Sequence, residues 1–105
     1  MIIDKFRMDN KVAIITGGTR GIGLAIAKAF GEAGAKLIVC SRTDKYNGFE
    51  NLKQSGFDVI FFKADLTDPS KPKELVDFVI KEKGSLDILV NNAGVAQHGE
   101  IEEYN

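Results

Sequence analysis

Cysteine and histidine each occur once in the 105 residues, proline and tyrosine twice, and tryptophan not at all. A lone cysteine excludes an intramolecular disulfide framework. Cys40 falls in an apolar segment and is read as a buried structural thiol rather than a reactive one. His98, the only histidine, reads as an ordinary loop residue, and no metal site is expected. A formal net charge of −1 leaves no basic excess for nucleic acid or an anionic membrane. Long hydrophobic runs are also missing. The first ten residues interleave Asp4, Lys5, Arg7 and Asp9 with apolar ones, which is not a signal-peptide core. These absences predict a soluble, cytoplasmic protein of one domain, long enough to bury a modest core.

Glycine, by contrast, is plentiful, at 11 residues. The apolar run Val12-Ala13-Ile14-Ile15 leads into Thr16-Gly17-Gly18-Thr19-Arg20-Gly21-Ile22-Gly23, after which an amphipathic stretch runs to Gly34. A strand, a glycine-rich turn and a helix start make an anion site. The first helical N–H groups have no intrahelical partner, and the helix dipole favours negative charge there. The spacing Gly17-x-x-x-Gly21-x-Gly23 is not the Gly-x-Gly-x-x-Gly dinucleotide fingerprint. Gly18 to Gly23 has P-loop spacing, but Leu24 and Ala25 stand where Lys and Ser or Thr are required, which excludes a nucleoside-triphosphatase.

Further along, strands and helices alternate. Val12–Ile15, Leu37–Cys40, Val59–Phe62 and Leu86–Val90 are short apolar runs suited to strands covered on both faces. Ile22, Ala25, Ile26, Ala29, Phe30 and Ala33 recur at helical spacing and are expected to face the core, with Gly34 ending the helix. A weaker helical patch spans Asp44 to Gln54, interrupted at Asn47-Gly48. Asp68 is expected to cap a third helix with Pro69 and Pro72 in its first turn. Its inner face is Leu75, Phe78 and Val79, and Gly84 ends it. The pattern predicts an α/β, doubly wound parallel sheet with its ligand beyond the carboxyl ends of the strands. All four ends are small or polar: Thr16-Gly17-Gly18, Ser41-Arg42, Ala64-Asp65 and Asn91-Asn92-Ala93-Gly94.

In this order and spacing, these endings resemble the N-terminal half of a short-chain dehydrogenase/reductase, from Lys11 to about Tyr104. The resemblance implies a Rossmann-type sheet of about four strands in the order 3-2-1-4. It makes residues 1–105 an NAD(P)-binding half-domain lacking the C-terminal catalytic half. Members pass a hydride between a nicotinamide cofactor and a carbonyl or alcohol, and usually form dimers or tetramers. By that resemblance Gly17, Thr19, Arg20, Gly21, Ile22 and Gly23 form the pyrophosphate turn, Ile22 donating a backbone N–H. Asp65 would bond the adenine amino group with Leu66 beside the ring. Asn91, Asn92, Ala93 and Gly94 would support the sheet and line the nicotinamide-side ribose.

The tip of the second strand bears on the choice between NAD and NADP. An NAD site has an acid there for the ribose 2′-hydroxyl. Here the tip is Cys40-Ser41-Arg42-Thr43, and the first acid is Asp44. The Arg42 guanidinium suits a 2′-phosphate in charge and fork geometry, and Arg20 is placed to reach the same group. NADP(H) is therefore expected over NAD(H).

The chemistry of the family depends on a serine and a Tyr-x-x-x-Lys pair. Tyr46 is followed four residues later by Glu50, and Tyr104 only by Asn105, so neither fits and no catalytic residue is expected in this chain. The apolar Leu86–Val90 strand has no successor to pair with its far edge. Three readings remain open: part of an oxidoreductase, inactive without its remaining residues; a non-catalytic nucleotide-binding module; or an inactive truncated fragment.

Overall fold

The computed structural model describes residues 7–92, in which seven elements alternate. They are β1 (Val12–Thr16), α1 (Gly21–Glu32), β2 (Lys36–Ser41), α2 (Gly48–Gln54), β3 (Val59–Lys63), α3 (Lys71–Lys83) and β4 (Ile88–Asn91). The strands form one parallel sheet in the order β3-β2-β1-β4. This is the expected α/β Rossmann arrangement. β1 and β2, the two central strands, are buried on both faces, which is why they carry the apolar runs Val12–Ile15 and Leu37–Cys40.

Alternation along each strand builds two cores. Val12, Ile14, Ile38 and Cys40 pack with Leu75 and Val79 of α3 on one face. Ile15, Leu37 and Val39 pack with Ala27 of α1 and Leu52 of α2 on the other. Aromatic rings extend both layers outward: Phe62 meets Phe78 at 5.2 Å between centroids, and Phe61 stacks on Phe49 at 5.7 Å. Lys83, at the end of α3, reaches Asp58 just before β3 at 3.0 Å.

Three local expectations are corrected. The buried stripe of α1 differs in part from the predicted one: Ile26 and Phe30 pack against the core as expected, but the fully buried residues are Gly23 and Ala27, whereas Ala25 and Ala29 are exposed and Ile22 is 72% exposed. The helix approaches the sheet through its smallest side chains, and a Cβ on Gly31 would stand 2.8 Å from the Phe57 ring. Asn47-Gly48 does not interrupt the second helix but starts it. Asn47 adopts the left-handed conformation (φ 59°), and the Phe49 N–H is taken by Asp44 Oδ1 at 3.0 Å. The third helix begins later than expected. Ser70 occupies the cap position and Pro69 lies outside the helix, while Asp68 Oδ1 accepts the Ser70 N–H at 3.0 Å. Gly34 and Gly84 end α1 and α3 as predicted.

Candidate functional site

All four strands point their carboxyl ends the same way, and the turns that follow them enclose an open cleft of about 970 Å³. That is within the size of a cofactor pocket. Its floor is the glycine-rich turn. Gly17 leaves β1 with a φ of 67°, a conformation that favours glycine, and its N–H bonds to the Cys40 carbonyl at 2.7 Å. Gly23 does not line the cleft. It sits behind the turn, where a Cβ would collide with the Gly17 carbonyl, so its absence of a side chain lets α1 start directly against the turn. Arg20 precedes the helix in extended conformation, and no side chain caps the helix start. The first N–H groups of α1 are thus open to a ligand anion.

Thr16, buried at the end of β1, fastens this floor to β4. Its hydroxyl oxygen accepts the Asn92 N–H at 2.8 Å and offers its hydrogen to Asn91 Oδ1 at 3.1 Å and the Val90 carbonyl at 3.3 Å. Asn91 and Asn92 both line the cleft. On the other side the hydroxyls of Thr19 and Ser41 lie 3.2 Å apart, linking the turn to the tip of β2. Arg42, Lys45 and Tyr46 follow on the same wall.

Beyond β3, Asp65 is exposed and held in place by Thr67. Its Oδ1 accepts the Thr67 hydroxyl at 2.6 Å and the Thr67 N–H at 3.0 Å. The hydroxyl contact and then the N–H hold its carboxyl below the usual range; burial opposes them, and the positive charge of Arg42 adds the least of the four effects. Asp65 is therefore an ionised acceptor with Oδ2 unused by these bonds. Leu66, Pro72 and Val76 add an apolar side to the cleft.

A short chain dehydrogenase family model matches residues 11–105. The chain belongs to the short-chain dehydrogenase family. A versicolorin reductase of Emericella nidulans is 40% identical over 103 residues, covering 95% of this chain and 39% of that protein. Among solved structures, a hydroxysteroid dehydrogenase from Escherichia coli superposes with a TM-score of 0.78 at 37% identity, covering 85% of this chain and 39% of that one. An L-sorbose reductase from Gluconobacter frateurii, complexed with NADPH and L-sorbose, has a TM-score of 0.76 at 36% identity, with coverages of 83% and 34%. The chain thus spans about two fifths of the length of these short-chain dehydrogenase relatives or less.

Ten further residues of the predicted set besides Asp65 line the cleft: Gly17, Thr19, Arg20, Gly21, Ile22, Ser41, Arg42, Leu66, Asn91 and Asn92. Ala93, Gly94, His98 and Tyr104 lie outside the described residues. Sequence reasoning missed Lys45, Tyr46 and Thr67 in the cleft wall. The available signal was their position just after a strand end, which is where this fold family places ligand contacts. Among the described residues no cluster of histidine, cysteine or acidic side chains suits a metal. No described helix is long and apolar enough to cross a membrane.

Proposed function

We propose that this chain is the cofactor-binding part of a cytoplasmic, NADP(H)-dependent oxidoreductase that transfers a hydride between the nicotinamide and a carbonyl or alcohol substrate. The observation that carries the proposal is a coincidence of charge and geometry. An uncapped helix start and three cations, Arg20, Arg42 and Lys45, open onto one cleft. The residues suit a dinucleotide phosphate in their chemistry. The N–H groups of Gly21 and Ile22 take the pyrophosphate, Asp65 takes the adenine amino hydrogen, and Asn91 and Asn92 orient the far ribose. When bound, the nicotinamide supplies or accepts the hydride.

The preference for NADP(H) rests on where the acids are. Asp44, the first acid after β2, commits Oδ1 to the Phe49 N–H and is not part of the cleft wall. It is a poor partner for a ribose 2′-hydroxyl. Arg42 occupies the place an acid would need, and guanidinium pairs with phosphate through parallel hydrogen bonds. The L-sorbose reductase of like fold, solved with NADPH, supports the same choice.

Titration of the protein with NADPH and NADH, followed by fluorescence, tests this. NADPH binds more tightly than NADH. Arg42→Ala weakens NADPH about ten- to a hundredfold, the worth of a charge-assisted contact, and leaves NADH nearly unchanged. Tighter binding of NADH by the wild type would overturn the preference.

A further inference from the structure

Tyr46 is 58% exposed in the connection between β2 and α2, where an aromatic ring gains little from burial. Its neighbours give it another use. The Arg20 guanidinium lies 5.3 Å from the ring centroid and the Lys45 ammonium 5.2 Å, both within the range of cation–π attraction. Among the described residues no carboxylate lies within ion-pairing distance of Arg20, Arg42 or Lys45, so the ring competes with no acid for them.

The backbone on both sides is fastened. A Cβ on Gly48 would collide with the Thr19 carbonyl, so the start of α2 rests directly on the glycine-rich turn. The hydroxyl contact of Thr19 with Ser41 and the Gly17 N–H bond to the Cys40 carbonyl join the same two segments. Tyr46 and Arg20 therefore come from different elements but are held at a fixed separation. A free arginine or lysine side chain loses rotamer freedom when it captures an anion, and holding it beforehand removes part of that loss.

We infer that Tyr46 is a positioning residue: its ring holds Arg20 and Lys45 beside Arg42 as a prearranged site for the ribose 2′-phosphate. The inference rests on the NADP(H) reading and deepens it. The ring acts rather than the hydroxyl, because the attraction is to the π face.

Two ligands that differ in this phosphate test it on the 105-residue chain, adenosine 2′,5′-bisphosphate and adenosine 5′-monophosphate, by calorimetric titration. Tyr46→Leu weakens the bisphosphate about three- to tenfold and leaves the monophosphate unchanged. Tyr46→Phe stays within about twofold of wild type for both, because it keeps the ring. In nitrogen-15 spectra the Arg20 Nε–H shows an upfield ring-current shift in the wild type and in Tyr46→Phe, and loses it in Tyr46→Leu. An unchanged affinity ratio in Tyr46→Leu, an unchanged Arg20 resonance, or a Tyr46→Phe variant as weak as Tyr46→Leu overturns the inference and leaves the NADP(H) reading standing. Equal or absent binding of the two ligands by the wild type overturns both, and that failure is visible without any variant.

Discussion

Single side chains in this cleft are chosen by what their neighbours leave room for. Gly23 was expected, by the family resemblance, to help form the pyrophosphate turn; it lies against the back of Gly17, where a Cβ would collide with the Gly17 carbonyl. Gly48 does the same for Thr19, at a position where the sequence suggests only a helix break. Cys40, one residue before the Ser41 contact, illustrates the opposite constraint. It is fully buried, and burial pushes its thiol from an ordinary 9.0 up to about 11. The unfolded chain loses this proton near pH 9 and the folded chain near pH 11, so the folded state binds it more tightly between the two. The associated stability is complete below pH 9 and is lost as pH rises toward 11, amounting to roughly 2–3 kcal/mol. Urea unfolding at pH 8 and pH 11 measures it against Cys40→Ala, which removes the titrating group. The wild type should lose that much more stability than the variant over this range, and parallel losses would refute the assignment.

At the level of elements, what could be read from the chain depended on whether hydrophobicity distinguishes the two sides. Strands β1 and β2 carry the apolar runs Val12–Ile15 and Leu37–Cys40 because both faces are covered there, so their positions were plain from the sequence. α1 is apolar on several sides, and the same property concealed its orientation: Ala25 and Ala29 qualify for the core as well as Ala27 does, but only Ala27 meets the sheet. α2 was the least legible because its start depends on the left-handed Asn47 and the acceptor Asp44 just upstream, neither of which leaves a periodic trace. With seven residues it is too short to be helical by propensity alone, so packing must hold it. Leu52 is its one fully buried hydrophobic side chain. Leu52→Ala should therefore destabilise the protein by about 2–5 kcal/mol, read from denaturant midpoints, and should loosen the connection that carries Lys45 and Tyr46. A loss below about 0.5 kcal/mol would mean that α2 docks through Phe49 and Phe61 instead.

For the whole molecule, alternation and handedness pointed to a parallel doubly wound sheet and the family resemblance to its strand order, whereas the exposed apolar surface could be located only in three dimensions. Among the described residues β4 pairs with β1 and with nothing on its far side. Leu89 on that strand is 59% exposed, and on the neighbouring α3 Ile80 is 45% and Val76 38% exposed. An apolar strand edge with unpaired N–H and C=O groups is a template for another chain, and nearby apolar side chains strengthen the attraction. The isolated 105-residue chain should accordingly self-associate, with a sedimentation coefficient that rises with concentration. Ile80→Lys lies outside the cleft wall and adds charge to a helix face that already carries Lys81 and Lys83 next to it. It should shift the population toward monomer at each concentration while leaving NADPH affinity unchanged, since Ile80, unlike Val76 and Leu89, is no part of the cleft wall. A wild-type chain that sediments as a monomer throughout the series would show that this edge is protected in solution. Loss of NADPH binding in Ile80→Lys would show instead that the cofactor cleft depends on association through that face.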